Sequence, residues 1–95
     1  LADGMAVRVP NPEALAIILD NVARVVAVSD EDILAAMAIL FHDTHNVAEG
    51  AAAATLAALL NERELNAGAE VAVILTGGNL DAALYSRALA TNVER

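Results

Sequence analysis

Thr76-Gly77-Gly78-Asn79 is the group of residues with the most chemical promise. A hydroxyl and an amide flank two glycines, directly after the apolar run Val71-Ala72-Val73-Ile74-Leu75. In open α/β sheets, ligands bind beyond the carboxyl ends of strands. Glycines there let the backbone come close to a ligand. The same pattern also describes an ordinary tight connection, and the residues alone leave both readings open. Glu49-Gly50 stands before an alanine-rich run. Its carboxylate either complements the N-terminus of a following helix or faces a site. Asp3-Gly4 reads as a turn. His42 and His45 could share a metal at helical spacing, but two histidines without a fixed third ligand make a poor site. A polar helix end is the plainer reading, and no metal is assigned. Tyr85 and Ser86 have no evident base partner and receive no catalytic role.

Composition narrows the chemistry further. The 95 residues carry thirteen Asp or Glu against five Arg, for a formal net charge of -8. There is no Lys and no Cys. Without Lys, this chain alone has no side-chain amine to hold a carbonyl compound covalently. Without Cys, it has no thiolate nucleophile, disulfide or thiolate zinc site. An acidic surface cannot neutralise a row of phosphates, and anionic lipid headgroups repel it, so neither nucleic acid nor membrane is an expected partner. The longest strongly apolar stretch, Ala51 to Leu60, is about half the ~20 residues of a spanning helix.

The elements that would position these groups alternate. Asn11-Pro12-Glu13 opens a first helix: Asn caps, Pro suits the first turn, and Glu favours the positive end of the dipole. Leu15, Ile18, Leu19 and Val22 recur at helical spacing and predict one buried face. Val25-Val26-Ala27-Val28 is a short β-branched run, read as a strand. Ser29 with Asp32 three residues on resembles a capping box for a second helix. Its stripe is Ile33, Met37, Leu40 and Phe41, ending near residues 42–44. Residues 51–60 predict a third helix, apolar nearly all round and therefore buried. Val71–Leu75 reads as a central parallel strand. Leu80, Ala83, Leu84 and Ala88 mark a last helix. The predicted class is α/β. With 58% apolar residues in one small domain, some apolar surface is expected to stay uncovered or to meet a partner.

Four of these features occur in order and at a spacing that resembles one family. They are Ala2-Asp3-Gly4, the stretch Val28-Ser29-Asp30-Glu31-Asp32-Ile33, Glu49-Gly50-Ala51 with its alanine-rich helix, and the stretch from Val73 to Asp81 that contains Thr76-Gly77-Gly78-Asn79. Together they are similar to the C-terminal third of the pyridoxal-phosphate-dependent threonine/serine dehydratases, fold relatives of serine racemase and threonine synthase. The likeness runs from Leu1 to about Leu89.

The resemblance implies a lyase that removes water from threonine or serine, the enamine then hydrolysing to a 2-oxo acid and ammonia. It implies pyridoxal phosphate as cofactor, with Thr76, Gly77, Gly78, Asn79 and Glu49 as cofactor-binding residues. Thr76 stands where the family has Ser facing the pyridine nitrogen; the hydroxyl is kept. A neutral hydroxyl cannot hold that nitrogen protonated as a carboxylate would, which suits prompt β-elimination. Ala52 stands where the family often has a second Gly.

The family's cofactor-bearing lysine, its Gly-rich phosphate cradle and its substrate-carboxylate loop are upstream features, so no catalytic residue is expected in this chain. The reading is therefore a segment. Residues 1–95 would be the C-terminal part of a catalytic domain, a partial three-layer sheet-and-helix unit from the large domain of a fold type II enzyme. The start at Leu1, with no Met and no basic leader, reads like the middle of a longer sequence. Expected partners are an amino-acid substrate, the N-terminal part of the same enzyme and a second copy in a homo-oligomer, in the cytoplasm. The chain alone is expected to be inactive. The alternative is a non-catalytic small α/β binding or oligomerisation module.

Overall fold

The computed structural model describes residues 1–93. A 3-10 turn at Asp3–Met5 precedes four α-helices: α1 (Pro12–Asn21), α2 (Asp30–Thr44), α3 (Gly50–Asn61) and α4 (Ala82–Leu89). Local chemistry explains where they start. The Asn11 side chain accepts hydrogen bonds from the Glu13 and Ala14 amides, with Pro12 in the first turn of α1. The Ser29 hydroxyl accepts from the Asp32 amide at 3.1 Å and caps α2. The Asp32 carboxylate in turn accepts from the Asn61 side chain at 3.0 Å, tying the start of α2 to the end of α3. Asn61 first, then Ser29, hold the Asp32 carboxyl below its ordinary pKa by bonding its charged form.

The core lies where α2, α3 and α4 meet. Ile33, Leu34, Ala36 and Met37 of α2 pack on Ala52, Ala53, Ala54 and Ala57 of α3, with Ala48 and Ala88 closing the cluster. Alanine dominates because it lets the α2 and α3 backbones approach closely, at the cost of little buried area per residue. Leu40, Leu56, Leu80, Leu84 and Tyr85 cover the rim. Phe41 meets Tyr85 edge-on at 5.9 Å, which joins the end of α2 to α4. The Tyr85 hydroxyl is buried with no hydrogen-bond partner among the described residues, and burial pushes its pKa up.

Two expectations are not met among the described residues. First, Val25–Val28 and Val71–Leu75 form no strand, and no strand occurs among the described residues. A strand needs ladder bonds from a neighbour. Neither run has such a neighbour here, however β-prone its residues. The observed architecture is helical with long irregular connections. Second, no residue of α1 is buried. The predicted face of Leu15, Ile18, Leu19 and Val22 exists as a pattern, but none of the described residues covers it; Leu19 is 74% exposed.

The surface area measures the same effect. A compact monomer of this mass would expose about 5,200 Å², whereas this chain exposes 6933 Å². Its radius of gyration is 14.2 Å, against about 12 Å for a compact domain of this length. The expected apolar surplus is therefore real, and it is concentrated on α1, Val25–Val26 and Val71–Leu75. No helix among the described residues is long and apolar enough to cross a membrane.

Candidate functional site

The sequence motifs that were far apart come together at the N-terminus of α3. Glu49 is its first flanking residue. The Glu49 amide donates to the Gly77 carbonyl at 3.0 Å, which pins the Thr76–Asn79 loop to the start of this helix. The Glu49 carboxylate makes no capping hydrogen bond to α3. It lies instead beside Gly77, where a Cβ added to that glycine would stand 3.4 Å from Oε1. The Glu49 carboxylate thus lies beside the loop while its residue keeps the flanking position where a negative charge complements the helix dipole.

Two glycines here are required by close approach. A Cβ on Gly78 would overlap the Val47 carbonyl, inside any real contact distance. A Cβ on Gly50 would stand 2.6 Å from the Leu1 carbonyl. Gly78 thus lets the loop lie against residues 47–49, and Gly50 lets the N-terminal segment lie against α3. Ala52, at the family's second glycine position, is buried with its methyl accommodated.

Polar groups gather around this junction. A cavity of about 350 Å³ is lined by Asp3, Glu49, Asn79 and Asp81, with Leu80 and Leu84 on its apolar side. Asp3 belongs to the 3-10 turn and faces this space; sequence reasoning gave it only a turn role. Thr76 is exposed, and Gly77 is half-buried. The Thr76 hydroxyl, the Asn79 side chain and the Glu49 carboxylate are committed to no hydrogen bond within the described residues.

His42 and His45 do not join the site. His45 ends α2 in a left-handed conformation at φ 58°, its amide donating to the Leu40 and Phe41 carbonyls. Both histidine rings meet Phe41 edge-on. No group of three or more His, Asp or Glu that could hold a metal occurs among the described residues.

The donor set can be matched to a cofactor ring. A loop backbone held close to a helix start, an uncommitted hydroxyl and a neighbouring carboxylate fit one edge of a flat heteroaromatic group. They do not provide a cradle for its phosphate: the surrounding charges are acidic, and the chain has no Lys. The residues fit one wall of a pyridoxal phosphate site.

Comparison with known proteins agrees with this chemistry. The family described as pyridoxal-phosphate dependent enzyme matches residues 1–77. That span contains Glu49, Thr76 and Gly77. The chain is 43% identical over 81 residues to the L-threonine ammonia-lyase of Geobacter sulfurreducens, covering 85% of this chain and 20% of that protein. It is 38% identical over 87 residues to the L-threonine ammonia-lyase of Thermotoga maritima, covering 92% and 21%. It is 45% identical over 71 residues to the phenylserine dehydratase of Ralstonia pickettii, covering 73% and 22%. The chain therefore spans about a fifth of the length of these relatives. No solved structure gives a significant match.

Proposed function

The chain belongs to the family of pyridoxal-phosphate dependent enzymes, and from that premise we propose that it is the C-terminal part of the catalytic domain of a hydroxy amino acid dehydratase. The enzyme would β-eliminate water from threonine or serine to give a 2-oxo acid and ammonia. The observation that carries the proposal is the junction of Glu49 with the Thr76–Asn79 loop, 3.0 Å from the Glu49 amide to the Gly77 carbonyl. The names of the relatives support the same reaction class.

Within that reading, Thr76, Gly77, Gly78, Asn79 and Glu49 would hold the ring edge of the cofactor. When bound, pyridoxal phosphate supplies a conjugated electron sink that lets a β-hydroxyl leave. Thr76 would offer the cofactor a neutral hydroxyl, which cannot hold a ring nitrogen protonated as a carboxylate would. Gly78 lets the loop pack against the Val47 carbonyl, and Gly77 lets it lie beside the Glu49 carboxylate, so the two glycines set the position of the loop. Glu49 places its carboxylate beside Gly77 and, through its amide, fixes the loop. Val25–Val28 and Val71–Leu75 become strands of a three-layer domain once neighbouring strands supply their ladder bonds. The exposed valines of both runs and the uncovered face of α1 support this, since they are the surfaces such layers would bury. A homo-oligomer belongs to the same proposal.

The test is direct. The full-length protein carrying this chain is incubated with L-threonine, L-serine or phenylserine, with and without pyridoxal phosphate, and 2-oxo acid and ammonia are measured. Cofactor-dependent release of both is expected. The 95-residue chain alone, which has no Lys, is expected to release neither. Oxo acid from the short chain, or none from the full-length protein on any hydroxy amino acid, refutes the proposal.

A further inference from the structure

One polar atom at the start of α3 is held in close quarters. A Cβ added to Gly4 would stand 3.3 Å from Glu49 Oε1 and 3.1 Å from the Ala51 methyl. A Cβ added to Gly77 would stand 3.4 Å from the same oxygen. Two glycines from opposite ends of the chain therefore border one carboxylate oxygen. Neither position needs glycine for its backbone conformation, since among the described residues Gly68 is the one glycine with positive φ. What both positions supply is room for another residue's side chain.

The parts of this contact are fixed by bonds inside the chain. The Glu49 amide donates to the Gly77 carbonyl at 3.0 Å, and the Glu49 carbonyl accepts from the Ala53 amide at 2.9 Å. The turn that carries Gly4 is closed by the Met5 amide on the Ala2 carbonyl and the Ala6 amide on the Asp3 carbonyl. Gly50 lets the Leu1 carbonyl approach the start of α3, which seats that turn against the helix. Gly4, Glu49 and Asn79 then line one cavity.

We propose that Gly4 is a positioning residue for the Glu49 carboxylate, fixing with Gly77 where its negative charge stands beside the Thr76–Asn79 loop. The proposal rests on the reading of that loop and Glu49 as the ring wall of the cofactor site. The role of Gly4 is exerted through Glu49: a side chain at residue 4 would push the carboxylate from its place.

The test is a double-mutant cycle in the full-length enzyme, Gly4→Ala with Glu49→Asp, repeated in an Ala51→Gly background. Asp is shorter by one methylene and leaves room for the new methyl. Ala51→Gly removes the methyl contact, so that the crowding from Gly4→Ala falls on the carboxylate alone and folding is spared. kcat/KM for threonine is the readout of the cycle, and the Kd for pyridoxal phosphate reports on the ring wall itself. Gly4→Ala is expected to lower kcat/KM about 5- to 10-fold in both backgrounds, less than the ~100-fold of a ~1 Å misplacement, because a few tenths of an ångström restore the contact. In the Glu49→Asp enzyme the same substitution is expected to cost less than about 2-fold, since the effects of residues in contact do not add. A merely structural role for Gly4 would give the same loss with either carboxylate.

Full activity of Gly4→Ala, or an equal loss with and without Glu49→Asp, overturns the proposal. So does a loss that vanishes in the Ala51→Gly background, which would place the contact on the methyl. If Glu49→Asp and Thr76→Ala each leave both kcat/KM and the Kd unchanged, the ring-wall reading itself has failed.

Discussion

Gly78→Ala is the sharpest perturbation of the proposed site, because Gly77→Ala one residue away serves as its control. At Gly78 the new Cβ would overlap the Val47 carbonyl, a backbone atom that cannot rotate aside. Restoring a normal contact requires the loop or the 46–49 turn to move by ~1 Å, and a displacement of that size in a reacting geometry costs on the order of 100-fold in rate. That factor corresponds to about 2.7 kcal/mol of transition-state stabilisation. At Gly77 the new Cβ would meet the end of the Glu49 side chain at 3.4 Å, an ordinary contact that a flexible carboxylate can relieve. The assay is kcat/KM for threonine in the full-length enzyme, with cofactor content measured on the same samples. Gly78→Ala is expected to lose about 100-fold, and Gly77→Ala to stay within about 10-fold, the worth of one 1.4 kcal/mol step. A Gly78→Ala enzyme near full activity, or one more active than Gly77→Ala, refutes the reasoning: the loop would then not be held by its approach to Val47.

Two further outcomes probe the scaffold. Tyr85→Phe removes a buried hydroxyl that has no partner among the described residues, so it is expected to be neutral or to stabilise by up to about 1 kcal/mol, read by denaturant titration; a loss of that size would contradict the unpartnered hydroxyl. Arg24 and Glu62 form an ion pair between the loop before α2 and the end of α3. The Arg24 guanidinium lowers the Glu62 pKa, chiefly by hydrogen bonding to the carboxylate, so the pair contributes stability above the ordinary carboxylate range. That contribution is lost as pH falls through the lowered folded value. Arg24→Ala is expected to raise the Glu62 titration, followed by NMR, toward the ordinary carboxylate range. An unchanged Glu62 titration contradicts the pairing.

Helices and their starts were legible because their causes are local. Asn11 and Ser29 cap α1 and α2 with side chains two or three residues away, and the Ala-Leu run of α3 needs nothing distant to be helical. The resemblance of the Ser29, Glu49 and Thr76 regions to one enzyme family was legible for a different reason: side-chain types and spacing survive in sequence whatever surrounds them. The strands were not, because β-branched residues state a preference that only a paired neighbour can satisfy. The α1 face shows the same limit from the other side. Periodicity tells that Leu15, Ile18, Leu19 and Val22 share a face, and is silent on whether anything covers it.

Residue types alone therefore determine the helical segments, the missing lysine and the membership of the chain in a cofactor-dependent family. They do not determine that the Glu49 carboxylate lies beside Gly77 and makes no capping bond to its helix, that Gly78 lies against Val47, or that Thr55 reaches Ile74. Each of these joins residues some 20 to 30 positions apart. Such contacts depend on how α2, α3 and the 70–80 segment pack, and packing is a property of the whole set of distances at once. No local pattern encodes it.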